Sequence, residues 1–107
     1  RRLRMRSVNI TLATLEVDGL DLPLMSADLV AVRRDSGELD WEVVAMSLPI
    51  TALHQSTRHL VMTGFPDGRS LTGDAIVVRS DEQRHVFRGS GPLDGLVSDD
   101  GLDDPEG

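Results

Sequence analysis

Residues 28–41 read DLVAVRRDSGELDW. An apolar run closes on Arg33, the turn residues Asp35-Ser36-Gly37 follow, and apolar alternation restarts at Leu39. Apolar runs bounded by Asp, Ser and Gly are strands, and a short turn between two of them makes a hairpin. Downstream, Leu39, Trp41, Val43 and Ala45 share one face while Asp40 and Glu42 share the other. That alternation predicts a strand over 38–48, stopped by Pro49. Upstream, residues 24–33 are rich in Val, Leu and Ala and look apolar on both faces. Pro23 opens that strand, where its missing N–H costs least.

The rest of the chain repeats this grammar. Val8, Ile10 and Leu12 alternate with polar residues, and then Ala13, Leu15 and Val17 take over the apolar phase. A one-residue phase slip is what a β-bulge produces, so residues 5–17 read as one bent strand. Asp18-Gly19 is a strong turn signal. Residues 50–57 are too few for a self-stable helix and read as a helical turn or an irregular crossover. Strands follow over 58–63, 69–79 and 84–88, with a tight turn at Phe65-Pro66-Asp67-Gly68. Gly89, Gly91 and Pro92 are read as the end of regular structure. Six strands joined by short turns predict an all-β domain, a small antiparallel barrel or a compact sandwich.

The opening stretch has an echo. Residues 74–87, DAIVVRSDEQRHVF, align on it without a gap, with Asp28/Asp74, Val32/Val78, Arg33/Arg79 and Asp35/Asp81 identical and Trp41 over Phe87. A DG pair stands upstream of each copy, at Asp18-Gly19 and Asp67-Gly68. Two readings follow: a pair of pseudo-repeated three-strand units, or two hairpins that obey the same period.

Composition bounds the rest. A chain of 107 residues is one domain's worth. With aromatics at 3%, the core is aliphatic, and Trp41 is expected in it. All eleven basic residues are Arg, which points to codon bias in a high-GC bacterial genome and removes lysine chemistry. Zero cysteine removes disulfides and thiolate sites and fits a reducing, cytoplasmic setting. No apolar run reaches membrane-span length and no signal-peptide pattern opens the chain, so neither is expected. Net charge is −7, yet residues 94–107 hold six acids and no base, which leaves −1 for residues 1–93. The chain therefore divides into an all-β domain over 1–93 and an acidic, flexible tail over 94–107, and deleting residues 98–107 should leave the fold intact. A nearly neutral body makes nucleic acid a poor partner.

Chemistry is thinly signalled. His54 and His59 lie five apart, a spacing that suits neither a strand nor a helix metal site, and His85 stands on the last strand. Ser90 in GSGP lacks the spacing of a nucleophile elbow. The tail lacks the spacing of an EF-hand loop. No cofactor motif occurs, and no cofactor or metal is expected. Asp28 and Asp74, with Arg33 and Arg79, fit either cross-strand ion pairs or a two-sided binding patch, and Leu53 and His54 in the crossover are further candidate interaction residues. Ile50, Leu53 and Leu60 could line an apolar patch, while the four methionines are read as core filler. The expectation is a non-enzymatic β-domain that binds a protein partner or forms a homo-oligomer, with no nucleic-acid or membrane partner. The alternatives are a barrel that holds a small apolar ligand, and an enzyme using His85 with Asp74 or Asp28.

Overall fold

The computed structural model describes residues 6–97 and 100–102. Its strands are β1 (Arg6–Val17), β2 (Leu20–Asp21), β3 (Leu24–Arg33), β4 (Leu39–Ser47), β5 (Thr57–Gly64), β6 (Ser70–Ser80) and β7 (Arg84–Asp94). Neighbours run β2-β1-β3-β4-β7-β6-β5, every pairing is antiparallel, and β1 also pairs with β5. That last pairing closes six strands into a barrel, with the two-residue β2 as an appendage of β1. Closure removes the free sheet edges that an open meander would expose.

The strand β1 serves two seams. Arg6–Thr11 pairs with β3, and Leu12–Val17 pairs with β5. The ladder shifts register between Leu12 and Thr14, so the phase slip at Ala13 is a bulge. Ala13 and Thr14 both face out, while Ile10, Leu12, Leu15 and Val17 all face in. The extra residue bends the strand and lets one continuous segment pass from one neighbour to the other. Asp18 and Gly19 both have positive φ, as a two-residue hairpin turn requires, and Leu20–Asp21 folds back on Glu16–Val17.

The two halves of the barrel are equivalent. β1-β3-β4 and β5-β6-β7 are both three-strand meanders. The pairs Ala31↔Trp41, Val30↔Glu42 and Leu29↔Val43 recur 46 positions on as Val77↔Phe87, Ile76↔Arg88 and Ala75↔Gly89. Where the halves join, Glu42 faces Arg88, its own counterpart. A pseudo-twofold axis therefore pierces the β4–β7 seam at that pair. The first seam of each half departs from this offset: Asp74, 46 positions after Asp28, pairs with His59, which is 48 after Asp28's partner Thr11.

Inward residues fill the barrel. Leu15, Leu29, Val43, Leu60, Met62, Leu71, Val77 and Phe87 are fully buried in one cluster with Trp41. The apolar look of residues 24–33 on both faces has a different cause from double burial. Ala27, Leu29 and Ala31 point in, whereas Val30 lies exposed on the outside. Of the methionines expected as filler, Met62 is buried, Met25 and Met46 are exposed, and Met5 lies outside the described residues.

The glycines of β7 do not end it. The strand runs on through Gly89, Gly91 and Pro92 to Asp94, which pairs with Thr72. Gly89, together with Gly73 on β6, makes room for Trp41. Its ring lies where a Cβ on Gly89 would sit, and a Cβ on Gly73 would come within 2.7 Å of it. The indole N–H donates to the Gly91 carbonyl at 2.9 Å.

Residues 50–56 form an irregular crossover without a helical turn. Leu53 packs half-buried against the core and Leu60 is fully buried, so the apolar patch expected from them does not form. The acidic segment is partly built into the fold. Arg69 donates to both oxygens of Asp100 at 2.8 Å, and Leu102 is 2% exposed within the core cluster. Ser98, Asp99 and residues 103–107, where the rest of the expected tail falls, lie outside the described residues.

Candidate functional site

The outward surfaces of β3, β4, β7 and β6 carry a band of exposed and half-buried aliphatic side chains that curves round the barrel on either side of the β4–β7 seam. Its register is fixed by the ladders. One row crosses the four strands as Val30, Glu42, Arg88 and Ile76, and the next as Asp28, Val44, Val86 and Arg79. Val30 is 37% exposed and Ile76 42%, and Met46 and Val78 are exposed beside them. Val32, Val44 and Val86 are half-buried on the same side. β-Branched residues sit outward here because strands favour them, but water does not, and the aliphatic cluster at Val44 and Val86, flanked by charged residues, is the candidate interaction site.

The face has a cleft at its edge. The β4–β7 ladder ends at Glu42↔Arg88, after which β7 stays with β6. The two strands diverge around Trp41 and leave an open groove of about 530 Å³, lined by Val30, Val32, Trp41, Glu42, Arg88 and Gly89. Glu42 and Arg88 approach only to 3.9 Å with both side chains well exposed, so their pairing contributes little by itself.

Among the described residues Asp28 and Asp74 do not pair with Arg33 or Arg79. Asp28 accepts from Thr11 Oγ1 at 3.4 Å, and Asp74 meets His59 Nδ1 at 2.8 Å. Arg33 donates to the Gly37 carbonyl at the turn. Asp28 and Arg79 are brought to the same outward row, whereas Asp74 and His59 lie on β6 and β5 at the side of the face. His54 is exposed in the crossover with Leu53 half-buried behind it.

His85 belongs to the interior, on the opposite side of the sheet from both aspartates. It is fully buried between Ser47 Oγ, 2.9 Å from Nε2, and Ser80 Oγ, 2.8 Å from Nδ1. Ser47 gives its proton to the Leu48 carbonyl, so the imidazole donates from Nε2. Ser80 accepts the Leu53 N–H and donates to Nδ1. This satisfied chain describes a neutral histidine that pins the crossover to the barrel end. Burial holds its pKa below the ordinary value, with the Asp81 charge pulling weakly the other way. Asp81 itself is held low by the N–H groups of Arg84 and Gln83, and Asp18 by the His59 N–H and Arg58. Among the described residues no group of His, Asp and Glu converges as a metal site, and no helix is long and apolar enough to cross a membrane.

No family model matches the chain, and no match was found among curated proteins or solved structures. The outward face therefore has to speak through its own chemistry. Sequence reasoning named Asp28 and Arg79 but missed Val30, Val44, Ile76 and Val86. Their signal is the apolar look of both faces of a strand, a pattern that burial on both sides also produces.

Proposed function

We propose that the chain is a non-enzymatic interaction module whose working surface is the outward band centred on the β4–β7 seam and flanked by β3 and β6. The observation that carries this reading is the run of exposed and half-exposed aliphatic side chains there, from Val30 through Val44 and Val86 to Ile76. Leaving such a surface in water forgoes about 25 cal/mol for each Å² of apolar area a partner could cover. The filled interior favours this face over the barrel mouth as a binding place. The sequestering of His85 between two serines, away from Asp28 and Asp74, favours binding over catalysis.

The test is site-specific photo-crosslinking in the full chain within cells. A benzophenone side chain at Val44 should yield discrete protein adducts. The same probe at Asn9, exposed on the outward side of β1, should not. Indistinguishable adduct patterns from the two positions, or none from Val44, would remove the reading.

A further inference from the structure

We propose that residues 50–56 form an acid-released strap: proton uptake by His85 frees them from the edge of β6 while the barrel stays closed. The strap takes the place of a strand. β5 pairs with β6 from Thr63↔Ser70 to Thr57↔Ile76, and there the ladder stops. Beside residues 77–80 of β6 the neighbour is the crossover instead. The Val77 N–H donates to the Ser56 carbonyl at 3.1 Å, Gln55 Nε2 donates to the Val78 carbonyl at 3.3 Å, and the Leu53 N–H donates to Ser80 Oγ at 2.8 Å. The Ile50 N–H reaches the Glu82 carbonyl at 2.9 Å. Leu53 is half-buried against the core, and the other residues of 51–56 are exposed. A segment held by so few bonds and so little buried apolar surface opens on its own, at far lower cost than the barrel.

The central bond of the strap depends on His85. Ser80 Oγ accepts the Leu53 N–H and gives its own proton to His85 Nδ1. A proton arriving at Nδ1 reverses that second bond. Two donors, Leu53 N–H and Nδ1–H, then converge on one hydroxyl oxygen. Ser80 is left to turn its proton to the Asp81 carbonyl, 3.3 Å away and longer than an ordinary O–H···O bond. The imidazolium is also cut off from water, because the ring is fully buried. Lifting Leu53 from Ser80 removes the surplus donor and lets water in. Around the ring, β4 contributes Ala45 and Ser47 and β6 contributes Ser80. Asp81 is the charge that acts on it, more weakly than burial does. Arg79, Glu82, Arg84 and the strap's own His54 are exposed to solvent. Once the strap lifts, residues 77–80 become an open strand edge, a surface that recruits another strand.

Amide hydrogen exchange, followed by NMR on the full chain and corrected for intrinsic rates, tests the strap. The Leu53 and Val77 amides report on it, and the Val43 amide, in the β4–β7 ladder, reports on the barrel. At every pH, Leu53 and Val77 should exchange much faster than Val43 and respond little to low urea, as a local opening does. With the strap open the ring takes the ordinary histidine value of 6.5, whereas burial holds it lower with the strap closed. Protection at Leu53 and Val77 should therefore fall about tenfold between about pH 7.5 and about pH 5.5, setting in near the ordinary histidine value. His85→Gln carries no titrating ring, so the step should vanish in that variant. The wild-type onset is read without any variant, so a poorly folded His85→Gln chain does not decide the matter. Three results overturn the strap. Protection at Leu53 and Val77 equal to that of Val43 would mean that the segment opens only with the barrel. No step, or one that begins only in the carboxylate range, would take His85 out of the opening. A step that persists in His85→Gln would do the same.

Discussion

Trp41 and the glycines beneath it form one unit. The indole fills the space that side chains on Gly73 and Gly89 would occupy, and it bonds the carbonyl of Gly91. Gly89→Ala should therefore cost about 1–3 kcal/mol through overpacking. Gly91→Ala, with open space at its Cβ position, should be nearly neutral. Trp41→Ala should cost about 3–5 kcal/mol. Chemical denaturation of the three variants reads all of these, and equal costs at the two glycines would refute the cradle. The sequence made Trp41 legible as core through its alternation. It left the glycines looking like a strand end, because a glycine that breaks a strand and one that admits a neighbouring ring are the same letter.

His85 is the second residue with a measurable signature. Its neutral form is favoured in the folded state, so its folded pKa lies below the ordinary 6.5. A depressed histidine leaves stability intact above the unfolded value and costs stability as pH falls through 6.5 toward the folded pKa. The melting temperature should decline from about pH 6.5 downward, ahead of the loss from Asp18, Asp81 and Asp100, whose depressed pKa values place their effect below the usual carboxylate range. His85→Gln can keep both serine bonds without a titrating group, and it should flatten the first part of that decline. An unchanged slope in the variant would show that His85 does not titrate with folding.

At the scale of elements, the strands and turns were readable because period-2 alternation and DG or DSG turns are local rules. The bulge at Ala13 was readable for the same reason: a bulge is a phase slip, and a phase slip is visible in letters. Long-range packing was not. Nothing local distinguishes Asp100 from the other tail acids, yet it receives both arms of Arg69, and its carboxyl is held low by that contact. Its side chain is only 7% exposed, so losing its charge strands a partly buried guanidinium. Asp100→Ala should cost about 1–3 kcal/mol, and Leu102→Ala about 2–5 kcal/mol. Thermal or denaturant melts check both. If neither variant moves, the segment after β7 is not part of the folded unit, and the sequence expectation of a freely moving tail would stand.

For the whole molecule, closure and symmetry matter more than any one contact. Two equivalent meanders meet at β1–β5 and β4–β7, so each of the six barrel strands is paired on both sides over part of its length. The repeat of 46 positions was visible in the letters, but its meaning was not. Only the ladders show that the same offset governs both hairpins and brings Glu42 against its own counterpart Arg88. The aliphatic letters of that face misled because a strand with two apolar faces is more often buried on both.

Closure of the barrel is the claim on which the rest stands. β1 and β5 lie far apart in the chain, yet Leu15 pairs with Met62 and Glu16 with Val61 across the closing seam. Backbone nuclear Overhauser effects between these residues should be present beside those that join Ile10 to Leu29 across β1 and β3. A chain that shows the second set and lacks the first would contradict the closed barrel.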